Sequence, residues 1–277
     1  MEHLGKYLVV VKGAGDLASG VIARLHRVGF PVIATETAQP TVIRRTVSFA
    51  QAVYDGQTTV EDLTAQRVDP SEVEATLARG IIPILTDPQA TCVQRFHPAV
   101  VVDAIIAKRN LGTRITDAPL VIALGPGFTA GVDAHAVIET NRGHYLGRVL
   151  HVGTAAPNTG IPGEIAGHGA DRVLRAPAAG VFHAVRTIGD TVAVGDVVAM
   201  VDDQPVTTPL AGVLRGLLHD GLSVPVGMKV GDVDPRAAPE HCFTISDKAL
   251  AIAGGVLEAV LTGLEAESQQ RRQAPQL

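Results

Sequence analysis

The sequence predicts an α/β fold with a mostly parallel open sheet, followed by an all-β barrel and a C-terminal helix. Three observations carry this. Short Val/Ile runs alternate with amphipathic stretches as far as residue 155. A glycine-rich turn, Lys12-Gly13-Ala14-Gly15-Asp16-Leu17-Ala18, directly follows the first run. Past a stretch dense in glycine and proline, short β segments repeat at an offset of 32 residues.

Strands are predicted at Tyr7–Val11, Val32–Ala34, Ile81–Leu85, Val100–Val102 and Leu120–Leu124. Several of these runs are apolar at every position, as strands buried between two helix layers are. Helices are expected at Leu17–Val28, Thr41–Tyr54, Pro70–Arg79 and Gln89–Phe96. Gly13, Gly15 and Ala18 fit the G-x-G-x-x-G/A spacing. In that pattern the first glycine makes a tight turn, the second admits a phosphate to the backbone, and the third seats helix on strand. The second strand leads into Glu36, about twenty residues on, where an acid commonly binds a ribose hydroxyl. Residues 1–155 therefore read as a Rossmann-like nucleotide-binding domain.

The chain of 277 residues has room for two domains, and its net charge of −5 argues against a nucleic-acid binder or a protein held on anionic lipid. The N-terminus shows no extended apolar core or cleavage site of a secretion signal. The longest apolar stretch, Ala249–Leu264, is broken by Gly254, Gly255, Glu258 and Gly263, and reads as a packed helix. Cys92 and Cys242 stand far apart in no metal-type spacing, which suits a reducing compartment. A cytoplasmic location is expected, with neither nucleic acid nor membrane as partner; a homo-oligomer is compatible with everything in the sequence.

Residues 156–170 form a linker or functional loop, with Asn158-Thr159-Gly160 and Pro162-Gly163 as turn signals. In residues 171–235, Ala176-Pro177 through Phe182 aligns with Thr208-Pro209 through Leu214. The same offset relates Gly189 to Gly221, Val192 to Val224, Val194 to Val226 and Gly195 to Gly227. Two such units suggest a pseudo-twofold sandwich in which neither half buries its apolar face alone. The repeat resembles the biotinyl/lipoyl-type sandwiched barrel, whose carrier members bear a modified lysine on the hairpin between halves. The matching hairpin here, Val201-Asp202-Asp203-Gln204-Pro205-Val206, has no lysine, so packing or docking is the expected use. Residues 236–277 are read as the C-terminal helix followed from Glu265 by a disordered polar tail.

Three loops at strand ends are candidate ligand contacts, because open α/β sheets bind ligands outside the carboxyl ends of their strands. In the first, Asp16 either caps helix amides, repels a pyrophosphate, or positions a metal-bound one. Arg44 and Arg45 either pair with a 2′-phosphate or lie on a solvated helix face, the second reading being favoured. In the second loop, which begins at Asp103, Lys108 suits a phosphate and Asn110 a base or hydroxyl; the alternative is a surface turn. In the third, Gly125 and Gly127 allow close approach of a ligand, and Asp133 is placed to cap a following helix that carries His135 and Glu139 on one face. That pair permits a metal or an acid/base couple, but no HExxH or repeated metal spacing accompanies it, and no metal site is expected. No catalytic residue is identified.

Taken together, GAGDLASG at 13–20, QPTVIRRTVSFAQAVYDG at 39–56, VVDAIIAKRN at 101–110, LGPGFTAGVDAHAVIETNRGHYLG at 124–147, NTGIPGEIAG at 158–167 and the C-terminal repeat resemble the YqeB family. That family is assigned to the selenium-dependent molybdenum hydroxylase system, and its N-terminal part is similar to XdhC-type maturation factors. The resemblance, over residues 7–262, implies an accessory role in maturing a molybdenum hydroxylase, its client. It points to Gly13, Gly15, Asp16 and Glu36; to Asp103, Lys108 and Asn110; and to Gly125, Gly127, Asp133, Glu139, Thr140, Arg142 and His144. The expected ligand is a nucleotide or dinucleotide, NAD(P) or molybdopterin cytosine dinucleotide. Two other readings stay open: a stand-alone NAD(P)-dependent oxidoreductase with His144 or Lys108 as acid, and a non-enzymatic scaffold docking the hydroxylase through the barrel. Neither cysteine lies in these motifs, which argues against selenium carried on a thiol.

Overall fold

The structure is a computed structural model that describes residues 4–160, 163–164 and 166–273. In chain order the first part contains β1 (Val9–Lys12), α1 (Asp16–Arg27), β2 (Val32–Glu36), α2 (Ala52–Asp55), β3 (Gln57–Val60), β4 (Leu63–Arg67), α3 (Val73–Ala78), β5 (Ile82–Thr86), α4 (Cys92–Phe96), β6 (Val100–Asp103), β7 (Leu120–Leu124), β8 (Thr129–Ala130), β9 (Ala136–Ile138), β10 (Val149–Leu150) and β11 (Gly153–Thr154).

Nine strands form one sheet in the order β10-β9-β7-β6-β1-β2-β5-β4-β3. Its six central strands, β5-β2-β1-β6-β7-β9, are mutually parallel. Counted among themselves they run 3-2-1-4-5-6, the doubly wound order, which places the reversal of strand order between β1 and β6. A β3–β4 hairpin extends one edge and the antiparallel β10 the other.

The unbroken apolar runs have a direct cause. Val9, Val11, Val100, Val102, Ile122 and Leu124 face a core shared with α1, while Val10, Val101, Val121 and Ala123 face a second core on the opposite side of the sheet. Each strand is thus buried on both faces, and period-2 alternation disappears from its sequence.

β12 (Val173–Arg175), β13 (Gly180–Ala184), β14 (Thr191–Val192), β15 (Val197–Val201), β16 (Gln204–Thr207), β17 (Gly212–Leu217), β18 (Ser223–Val224) and β19 (Lys229–Asp234) build two four-stranded antiparallel sheets. Their orders, β12-β19-β17-β14 and β16-β15-β13-β18, interchange when residues are shifted by the repeat offset. Paired hydrogen bonds obey the same exchange. Gly189 N–H donates to the Leu214 carbonyl and Gly221 N–H to that of Phe182; Gly195 N–H donates to Thr208 and Gly227 N–H to Ala176.

α5 (Asp247–Gln273) returns to the first part and lies against α1 and the β7–β9–β10 side of the sheet, burying Ala249, Ile252, Ala253, Val256 and Val260. The approach to α1 is close: a methyl on Gly20 would stand 2.8 Å from Ala249 Cβ. Residues 265–273, expected in a disordered tail, continue this helix, and Gln269 donates to Glu265 one turn earlier at 3.0 Å. Residues 274–277 and Pro162 lie outside the described residues.

Two expected helices are corrected. Thr41–Tyr54 is a series of 3-10 turns at Arg45–Val47 and Phe49–Gln51 followed by the short α2. The segment is wedged between two bodies. The Ile43 carbonyl accepts from Leu217 N–H, Thr46 Oγ1 donates to the Cys242 carbonyl, and Tyr54 stacks on His219 at 3.7 Å, while Ser48 and Ala50 both donate to the Ala14 carbonyl. Contacts on opposite sides override helix propensity. No helix follows Asp133: Ala136–Ile138 is the parallel strand β9, so His135 and Glu139 flank a strand and share no helix face.

Candidate functional site

The glycine turn forms as its spacing suggests, with Gly13 at φ +94° and α1 starting at Asp16. A methyl on Gly13 would come within 3.1 Å of the Ala104 carbonyl and Ile105 Cα, so the β1 and β6 loops touch where strand order reverses. Glu36 turns inward. Its Oε2 accepts the Ala14 N–H at 3.0 Å and its Oε1 the Thr37 N–H at 2.8 Å.

Asp103 is buried and accepts from Thr113 Oγ1 at 2.6 Å; Thr113 in turn accepts from Lys12 Nζ, whose backbone pairs with Asp103 across β1 and β6. Asn110 is engaged by its own turn, accepting from Gly112 N–H and Thr113 N–H and donating to the Thr113 carbonyl. Asp133 accepts from Thr129 N–H, and Glu139, 6% exposed, accepts from Asn141 N–H and Ala156 N–H. Gly125 and Gly127 take positive φ, and side chains there would in addition strike Thr140 Oγ1 at 2.6 Å and the Arg109 backbone at 2.5 Å. These residues shape loops. His135 Nδ1 accepts the Val121 N–H at 3.0 Å, and burial lowers its pKa. His144 packs edge-on against Tyr145, outside the cavity described next.

An open space lies beside the glycine turn, between the carboxyl edge of the parallel sheet and the barrel. It is a cavity of about 700 Å³. Of the residues singled out in the sequence, Asp16, Lys108, Thr140 and Arg142 line it. Arg44 joins them: it is 8% exposed and paired with Asp16 at 2.8 Å, so it is neither on a solvated helix face nor free. Arg45 is also partly buried, donating to the Leu217 carbonyl, and burial lowers its pKa. Ile106 and Lys108 hold left-handed backbone at φ +58° and +63°, a costly conformation for side-chain-bearing residues that concentrates at ligand sites.

Four further cations line the cavity: Arg172, Arg215 and Lys229 from the barrel, and Lys248 from α5. Among the described residues the lining therefore carries seven cationic side chains against three carboxylates, those of Asp16, Glu164 and Asp232. Arg172 pairs with Asp232, and Arg142 with Asp247, whose carboxyl is held down at about 2 by that partner. Arg215 reaches Asp234 only at 3.4 Å and shares it with Arg236 at 2.6 Å. The side chains of Lys108, Lys229 and Lys248 make no hydrogen bond or ion pair among the described residues. Burial pushes the pKa of Lys229 and Lys248 down, and the carboxylates within electrostatic reach, Asp232 and Asp16 for the first and Asp16, Glu139 and Asp247 for the second, only partly offset it.

Sequence reasoning missed the barrel cations, yet a signal existed. Shifted back by the repeat offset, Arg215, Lys229 and Asp232 correspond to His183, Val197 and Met200. Charge enters the second unit at strand positions where the first has none or only a histidine. Breaks in an internal repeat mark the face that does something its twin does not.

Both thiols are buried, and burial pushes Cys92 up to about 12 and Cys242 upward as well, so neither is a ready thiolate.

No family model matches the chain. Among solved structures, a succinylglutamate desuccinylase/aspartoacylase from Rhodobacter sphaeroides aligns with 82% of this chain and 84% of its own at 14% identity and a TM-score of 0.26. The ectoine utilization protein EutE (DoeB) from Ruegeria pomeroyi aligns at 10% identity over 82% of this chain and 85% of its own, with a TM-score of 0.25. By sequence, the chain is 55% identical over 259 residues to the uncharacterized protein YqeB of Escherichia coli strain K12, a match covering 93% of this chain and 48% of that protein. The chain thus spans about half the length of the curated relative it matches. Over those 259 residues it belongs to the YqeB family.

Proposed function

We propose that this chain is a nucleotide-binding accessory factor in the maturation of a molybdenum hydroxylase, acting in the cytoplasm and holding its ligand in the cavity between sheet and barrel. The observation that carries the reading is the excess of cations there, seven against three carboxylates, beside the point where strand order reverses. Open α/β sheets bind phosphorylated ligands at that place, and a concave site with surplus positive charge selects an anion. Molybdopterin cytosine dinucleotide suits it: its phosphates would meet the surplus of cations, and the left-handed Lys108 turn would hold a further ammonium at the rim. The assignment to the hydroxylase system, with or without selenium, rests on family membership and the implication drawn from the motifs.

In this reading the Rossmann-like sheet supplies one wall, and the biotinyl/lipoyl-like barrel, lacking a carrier lysine at Asp202-Asp203, supplies the other. NAD(P) fits less well, because Glu36, the residue suited to a ribose, is already bonded to Ala14 N–H and Thr37 N–H. Isothermal titration of the intact chain with NAD, NADP, CTP and molybdopterin cytosine dinucleotide tests the proposal. Binding of CTP or the cytosine dinucleotide without turnover at 340 nm is expected; no binding by any of the four would sink it.

A further inference from the structure

The cavity has two chemically different sides. On the sheet side the glycine turn is closed by protein groups: Glu36 occupies the Ala14 amide, and Gly13 abuts Ala104 and Ile105. On the barrel and α5 side stand Lys229 and Lys248, whose side chains make no hydrogen bond or ion pair among the described residues and feel Asp232, Asp16, Glu139 and Asp247 only at longer range, and Arg215, 8% exposed. The Arg215 guanidinium is under-satisfied. Among the described residues its Nε is buried with no hydrogen bond, its nearest carboxylate is shared with Arg236, and it also lies within electrostatic reach of Arg44, whose own Nε is likewise buried and unbonded.

Cations gathered in a half-buried space repel one another and forgo hydration, and such an arrangement is relieved by a ligand that brings negative charge. With the ion-pair partners just outside it, Asp234, Asp247 and Arg236, the lining carries an excess of three positive charges, which exceeds what one carboxylate or a phosphodiester supplies and suits a diphosphate.

We propose that a diphosphate group is recognised by the far wall, by Lys229, Lys248 and Arg215, and not by the glycine turn. The barrel is then half of the binding site, and the glycine turn is a structural clamp holding β1, α1 and the β6 loop together. The inference rests on the reading of this cavity as the ligand site but does not need the ligand to be a nucleotide.

The test uses the full chain titrated with inorganic pyrophosphate, inorganic phosphate and CTP. Lys229→Met and Lys248→Met should each weaken pyrophosphate by roughly tenfold or more, the scale of one charge-assisted hydrogen bond. Lys229→Arg should recover most of that loss. Gly15→Ala, which meets no atom within 4 Å and would obstruct a phosphate only at the turn, should change affinity by less than about threefold. Unfolding curves recorded on the same samples separate lost binding from lost fold. The proposal is overturned if Gly15→Ala abolishes binding while both methionine variants retain it, or if pyrophosphate binds no better than phosphate. Lysine-dependent pyrophosphate binding with no affinity for CTP would support it while removing the cytidine nucleotide from the proposed function. CTP binding that ignores both lysines would do the reverse.

Discussion

The Glu36 carboxylate accepts the amide of Ala14 across the glycine turn at 3.0 Å. An acid at the end of β2 therefore acts on the turn itself. Glu36→Ala leaves that amide without its partner and should destabilise the chain by about 1–2 kcal/mol. A lower urea midpoint at unchanged slope would show it. Pyrophosphate affinity should stay within a few-fold of wild type, whereas a large loss would put the ligand back at the turn.

Gly20→Ala tests the seam between α1 and α5. Alanine inside a helix is ordinarily better than glycine by about 0.5–1 kcal/mol. Here the new methyl would meet Ala249 Cβ at 2.8 Å and the Ala249 carbonyl at 2.9 Å. Overpacking of that kind costs about 1–3 kcal/mol and should win. Thermal unfolding should fall; a rise would mean the two helices are not in this contact.

Asp16→Asn separates stability from affinity. The carboxylate is the partner of buried Arg44, and its loss strands a guanidinium that is 8% exposed, which should lower stability by about 1–3 kcal/mol. The same change removes a negative charge from an anion site and should tighten pyrophosphate by roughly tenfold, given charges a few ångströms apart in a partly buried setting. Titration and denaturation on one sample read both; an unchanged or weaker affinity would place Asp16 away from the ligand.

Anion binding should take up protons at alkaline pH. Burial lowers the pKa of Lys229, near Asp232, Arg172, Asp16 and Arg175, and of Lys248, near Arg142, Asp16, Glu139 and Asp247, from a starting value of 10.5. A bound anion favours the ammonium form and raises both. Affinity therefore falls as pH climbs through the lowered values of the free protein, and the heat of binding varies with the ionisation enthalpy of the buffer. The free protein shows the opposite trend: these two groups destabilise it at low pH, and that penalty begins to shrink as pH passes their lowered values and is gone only above the unfolded value of 10.5. Calorimetry in two buffers up to about pH 10 settles the sign; absence of proton uptake would mean neither lysine meets the anion.

The parallel strands were legible because burial on both faces writes unbroken Val/Ile runs, as in Val9–Val11 and Leu120–Leu124. β9 was not, since Ala136–Ile138 is too short to show a period and His135 and Glu139 happen to fall at helical spacing. The stretch around Val47 and Ala50 read as helix because its apolar residues answer to two neighbours on opposite sides, which mimics an amphipathic face. Four cavity residues could be named from strand-end loops, but Arg172, Arg215, Lys229 and Lys248 come from other parts of the chain. Only tertiary packing gathers them.

The return of α5 to α1 has a mechanical side. The barrel leaves one body and comes back to it, so it is tethered at both ends. A module tied at one point can swing in any direction; tied at two, it can only rock about the line between its attachments. The far wall of the cavity is thereby held in register with the near one before any ligand arrives. The entropy of bringing the two walls together is lost once, during folding, and is not lost again at each binding event.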